Sequence, residues 1–251
     1  MSFYNTQTPA NSSIRVTNRV RTAFQDYAGV TGNEKIPLDG EHHGDYIFFS
    51  KTGSYGEWKV GGDQVSIGAF AGQYNQGFNG GESVAIGYQA GQNNQCEKNV
   101  AVGYRAGQFN QGTGDGYGCV AIGSYAGQDD QGDRCVAIGR RAGEEYQGRG
   151  EGHSVAVGPY AGEVEQGSYA IAIGTDAGQY NQGTGAIAIG YNAGENSQHA
   201  NSIVINATPS SVDSNGEGRL FIKPIRGVAL GIGINRLSYD PSTGEIVYST
   251  D

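Results

Sequence analysis

From Val65 to Gln198 the chain alternates in one fixed way. A β-branched residue, a small residue, a second β-branched residue and a glycine are followed by a polar stretch that carries Ala-Gly and closes on Gln. Copies read VSIGAFAGQYNQ from Val65, VAIGYQAGQNNQ from Val84 and VAIGSYAGQDDQ from Val120. The glycines ending the apolar triplets are Gly68, Gly87, Gly103, Gly123, Gly139, Gly158, Gly174 and Gly190, at spacings of 19, 16, 20, 16, 19, 16 and 16 residues. Alternation with period two over three residues, stopped by glycine, predicts a short strand and not a helix. A strand recurring at so short a period predicts a β-solenoid, in which each repeat is one coil that buries apolar surface only against its neighbours.

Alternation puts Val84 and Ile86 on one side of the sheet and Ala85 on the other. The β-branched side is expected to form the narrow core of each coil. The middle residue is then Ser66, Ala85, Ala101, Ala121, Ala137, Ala156, Ala172 or Ala188, small in every copy. A solvated strand face normally carries Thr, Lys, Glu or Tyr. A column of small residues therefore predicts close approach of another surface, and a sister chain offers the simplest one, giving a homo-oligomer about a central axis. The alternative is that these residues face the interior of an unusual coil. Ala71, Ala90 and Ala106, beyond the corner, are expected inside. The closing glutamines, Gln76, Gln95, Gln111, Gln131, Gln147, Gln166, Gln182 and Gln198, are expected to stack as a structural ladder of amide hydrogen bonds.

The texture divides the chain into three zones. Residues 1–63 are non-repetitive, with strand-like YIFFS and EWKV, and are expected to form an attachment region. Residues 64–206 form the repeat domain, with Ile203-Val204-Ile205 in register as a degenerate ninth coil. Residues 207–251 read as a capping or trimerisation region with the short strand RLFIKPI and a terminal hairpin, in which SYDPSTGEIVYS places Pro241 and Gly244 at a tight turn.

Glycine supplies 44 of the 251 residues, which disfavours ordinary helical packing. A net charge of −9 argues against nucleic acid as a partner. The first residues, MSFYNTQTPANSS, show no apolar signal-peptide core, and no stretch reaches the length of a membrane span, so neither export nor membrane insertion is expected. Three cysteines do not make a secreted disulfide framework. Cys119 and Cys135 share a repeat position at which stacked coils bring them within disulfide reach; buried free thiols are the favoured reading in a reducing compartment.

Chemistry-bearing residues are sparse. His153 lies in the insertion GRGEGHS and His199 beyond the last full phrase, neither with an acid at suggestive spacing. Asp39, Glu41, His42 and His43 are too close in sequence to converge on one ion without further ligands. Asp115 and Asp133 lack the regular placement of calcium-binding rolls. No catalytic residue, metal or cofactor is expected, and the protein is read as no enzyme. Insertions after the ladder Gln lengthen the coils that carry Phe78, Tyr117 and His153, which are expected to project from one corner. Aromatics recur near the corners at Phe70, Tyr74, Tyr88, Tyr104, Phe109, Tyr125, Tyr160, Tyr180 and Tyr191, where they suit a glycan or protein, or pack between neighbouring chains.

ESVAIGYQAG, KNVAVGYRAG and HSVAVGPYAG resemble the head repeats of trimeric autotransporter adhesins over about 140 residues. That resemblance implies a left-handed parallel β-roll, trimerisation and adhesion to host surfaces. The repeat here is longer than that family's, near 14 residues, and the family's secretion signal, stalk and anchor are not seen. AIGxxAGxxNQG repeats followed by LFIKPIRG and LSYDPSTGEIVYST more closely resemble fibre and appendage proteins of large viruses and phages. This implies a virion-surface protein made in a host cytoplasm, joined to a capsid or other virion protein through an end region and meeting a host glycan or protein. A bacterial adhesin head fragment is the second reading. A hexapeptide-repeat acyltransferase is the third, because IGxxAG also fits that family's phrase, although a 16-residue period is not a multiple of six.

Overall fold

A computed structural model describes residues 47–52, 55–60, 64–76, 81–112, 118–225, 236–240 and 245–249. The repeats form one parallel sheet, a β-solenoid of about nine turns, with no helix among the described residues. Its strands are β3 (Val65–Ile67), β4 (Val84–Ile86), β5 (Val100–Val102), β6 (Val120–Ile122), β7 (Val136–Ile138), β8 (Val155–Val157), β9 (Ile171–Ile173) and β10 (Ile187–Gly190). The degenerate copy supplies β11 (Ile203–Asn206), paired with β10 in unbroken register, Ala188 facing Val204. A tenth strand, β12 (Leu220–Lys223), comes from RLFIKPI and pairs in parallel with β11. The sheet thus runs past residue 206, because LFIK keeps the alternation and turns Phe221 onto the buried cluster. Ten strands at about 4.8 Å give a stack roughly 40 Å long.

Two antiparallel hairpins lie outside this sheet. β1 (Ile47–Thr52) pairs with β2 (Tyr55–Val60), and β13 (Arg236–Asp240) pairs with β14 (Glu245–Ser249). Pro241 and Gly244 of the turn fall outside the described residues.

The interior of the coil corrects the expected faces. Ala85, Ala101, Ala121, Ala137, Ala156, Ala172 and Ala188 are 0% exposed within a single chain, so they cannot face a sister chain. Ser66, in the first coil, is half-buried and donates to Gln76. The flanking Val and Ile point outward instead. Alternation permits either assignment, and the room inside decides between them. A coil of 16 residues closes so tightly that its opposite wall, Ala90 and its equivalents, leaves space for methyl groups only.

Two glycines per coil make this closure possible. Gly87 has φ +131°, and a Cβ there would stand 2.3 Å from the carbonyl oxygen of Gly103. Gly91, in the Ala-Gly pair, has φ +50°, and its Cβ would stand 2.4 Å from Gln95 Oε1. The first glycine lets adjacent corners touch, and the second leaves room for the ladder amide.

Candidate functional site

Each ladder Gln fills the remaining interior. Gln95 Nε2 donates to Gln111 Oε1 at 3.0 Å and to the Val84 carbonyl at 3.0 Å. From Gln131 the column is continuous through Gln147, Gln166 and Gln182 to Gln198, at 3.0 to 3.1 Å per rung. Every rung also donates across the coil to the carbonyl of the first strand residue, as Gln76 does to Val65. Gln95 Oε1 and Gln131 Oε1 are buried without a hydrogen bond, each following a lengthened coil, whereas Gln166, after the third lengthened coil, accepts from Gln147.

Where the residue before a strand is Ser, Asn or Cys, its side chain ties the coil shut, whereas Ala170 and Ala186 fill that place with a methyl group. Asn99 Nδ2 donates to the Gln111 carbonyl and Ser154 Oγ to that of Gly167, both at 2.7 Å. Cys119 and Cys135 take this position with thiols that donate to Gly132 and Gln147. Both are free and fully buried, and burial pushes their pKa up to about 12 and about 11. They serve as small hydrogen-bond donors inside the coil.

With the interior filled, the side chains open to contact lie outside. Two columns of aliphatic side chains run the length of the sheet, from Val65 and Ile67 to Leu220 and Ile222, without a charged residue. Ile67 is 55% exposed, and Ile122, Ile138, Ile173 and Ile189 are 38 to 40% exposed. The ribbon is roughly 40 Å by 10 Å, the size of the largest apolar patch on an ordinary monomer. Its signal in the sequence is the β-branched pair in every triplet, which lies on this outer face and not in the core as alternation and hydrophobicity suggest.

Aromatics line one edge of this ribbon. Phe70, Tyr88, Tyr104 and Tyr125 form a column with ring centroids 5.2 to 5.8 Å apart. Arg105 lies over Tyr104, and Arg141 over Tyr125. Arg140 covers Tyr160. Faces of these rings meet one another or guanidinium groups. Tyr74, Phe109, Tyr180 and Tyr191 are exposed separately.

His153 sits on its exposed corner, stacked on Tyr169. Its Nε2 meets an Arg134 guanidinium N–H at 3.1 Å and its Nδ1 meets the Glu151 carbonyl at 2.8 Å, so Nδ1 carries the proton. His199 Nδ1 meets Ser214 Oγ. Neither faces a carboxylate in a catalytic arrangement. Phe78, Asp115, Tyr117, Asp39, Glu41, His42 and His43 lie outside the described residues. Among the described residues no three His, Cys, Asp or Glu side chains converge as a metal site, and no helix is long and apolar enough to cross a membrane.

Two further columns escaped the sequence reading. Asn75, Asn94, Asn110 and Asp130 are linked by Nδ2-to-Oδ1 bonds of 2.7 to 2.9 Å. A second column follows the Ala-Gly pair as Gln73, Gln92, Gln108, Gln128, Glu144, Glu163, Gln179 and Glu195. Its signal was the unvaried Gln or Glu at that place. No known family, curated protein or solved structure matches this chain.

Proposed function

We propose that the chain is a non-enzymatic fibre or spike component that assembles as a homotrimer through its aliphatic ribbon. The observation that carries this reading is an uncharged, regularly spaced row of Val and Ile on the outside of a coil stack whose inside is already full. A second copy is the occupant that fits best. Its ribbon has the same rung spacing, so side chains of two copies interdigitate along the full length. Like faces also bury aliphatic surface without stranding a charge. The threefold number rests on the resemblance to adhesin heads, with the ribbons turned to the axis in place of the alanines.

The resemblance of the repeats and closing segment to viral and phage appendages supports a place on a virion surface. In that reading an end region joins a capsid or other virion protein, and the outer surface meets a host glycan or protein. Ile122→Lys with Ile138→Lys tests the assembly. The wild-type chain is expected at three times its monomer mass by light scattering, and the double variant at one with its β-sheet circular dichroism kept. A wild-type monomer, or a double variant of unchanged mass, rules the ribbon out as the interface. A glycan array and host-cell binding assay that find no ligand would remove host attachment and leave the structural role.

A further inference from the structure

The outer amide column has a direction. Gln92 Nε2 donates to Gln73 Oε1 at 2.8 Å, Gln108 to Gln92 at 2.9 Å and Gln128 to Gln108 at 3.1 Å. Farther along, Gln179 Nε2 donates to Glu163 Oε2 at 2.5 Å. Each of these amides donates a hydrogen bond to the preceding coil, and a carboxylate in the column can only accept. With Asp129 paired to Glu145, Glu144 takes the place after Gln128 in this column, where an amide would donate to Gln128 Oε1. An ionised carboxylate has no donor.

Glu144 and Glu163 are also buried, 8% and 6% exposed, and share one cation. Arg141 NH1 lies 3.2 Å from Glu144 Oε2 and 3.0 Å from Glu163 Oε1. One guanidinium, itself more exposed, serves two buried carboxylates on adjacent coils, a poorly compensated arrangement. Asp129, with Asp130 and Tyr125 of the same coil, faces this group from below. Glu145 stands beside it, and Glu163 and Gln179 follow on the next two coils.

We propose that Glu144 is a proton-operated joint in the shaft: protonated, its hydroxyl closes the outer column by donating to Gln128 Oε1, and ionised, it leaves that rung open between adjacent coils. Burial raises the Glu144 carboxyl most, Arg141 pulls it back, and Glu163, Glu145 and Asp129 raise it again, to about 7. The joint therefore operates near neutral pH, and it does not depend on the oligomeric state or on host attachment.

Hydrogen exchange of the full chain at about pH 5.5 and about pH 8, corrected for intrinsic rates, reads the joint directly. Opening around residues 124–150 is expected to rise about tenfold at the higher pH, the weight of one pKa unit. Glu144→Gln, a permanent donor, is expected to hold the low-pH level at both. A variant as pH-sensitive as the wild type, or a wild type whose opening is unchanged, overturns the proposal. Should the variant fail to fold, carbon NMR of labelled wild-type glutamate decides. One carboxyl titrating near neutrality supports the joint, and all of them titrating in the ordinary carboxylate range overturn it.

Discussion

Gln131 Nε2 donates at once to Gln147 Oε1, at 3.0 Å, and to the Val120 carbonyl, at 3.1 Å. One amide therefore fastens a coil to the next and braces the coil across its own interior. Where most folds of this size place leucine and phenylalanine, this one places a column of glutamines between two rows of alanine methyls. Its stability rests on satisfied polar groups in a very thin core, which makes single changes there costly.

Gln147→Leu keeps the volume and removes the bonds. It takes one donor from the Val136 carbonyl, one acceptor from the Gln131 amide and the donor from Gln166 Oε1. A loss of about 3 kcal/mol is expected from the buried groups left unpaired. Denaturant unfolding of the variant against the wild type measures it, and a midpoint within error of the wild type contradicts the ladder.

Ala137→Leu tests which face is the core. Ala137 is fully buried and Ile138 is 38% exposed. Overpacking at residue 137 is expected to cost about 3 kcal/mol or to prevent folding. Ile138→Thr is expected to leave the β-sheet circular dichroism intact and to weaken only self-association. The reverse ranking would restore the alanines to the outer surface.

Gly123→Ala probes the corner. Gly123 has φ +131°, and the new Cβ would stand 2.5 Å from the Gly139 carbonyl oxygen in the next coil. Strain and collision together predict a loss of about 3 kcal/mol. Gly118→Ala serves as the comparison, because it has φ +77° but meets nothing within 4 Å. Its melting temperature is expected to fall by clearly less.

Acidic solution should favour the shaft. The Glu144 carboxyl is raised from 4.5 to about 7 in the fold, and those of Asp129 and Asp176 are raised by burial and neighbouring acids. The folded state therefore holds more protons than the unfolded chain across this window, so stability falls as pH rises. The Glu144 contribution is complete below about 4.5 and lost as pH passes about 7. A melting temperature higher at pH 5.5 than at pH 8, with a smaller difference in Glu144→Gln, is the expected result.

The thiols differ in the same physical terms. Cys119 and Cys135, held up at about 12 and about 11, are expected to resist alkylation at pH 8 until the chain unfolds. Cys96 is half-buried and raised for the same first cause, burial, and is expected to react before them. Equal labelling of all three in the native protein would be the contrary outcome.

The repeat made much of this legible. A three-residue alternation closed by glycine, as in Val120–Gly123, specifies a strand and a corner wherever it lies. The Gln at the end of each phrase is recognisable because it is as constant as the corner glycine and the Ala-Gly pair, although it is a large polar residue. Which side of the strand is inside was not legible in the same way. Val120-Ala121-Ile122 satisfies alternation with either face buried, and hydrophobicity favours the larger pair. The answer depends on the width of the closed coil, set by Ala126 and Gly127 across from Ala121, a relation between residues that no local pattern expresses. Glu144 was hidden for a similar reason. Gln and Glu look interchangeable in a repeat until the direction of the column shows that one of them lacks a donor.

Strand pairing in the solenoid always joins residues 16 to 20 positions apart, as Val84 with Val100 and Val100 with Val120. No long loop has to close before a new strand finds its edge, so the entropic toll of each addition is the same small one. Such a chain folds as a zipper, each finished coil serving as the template on which the next is laid down.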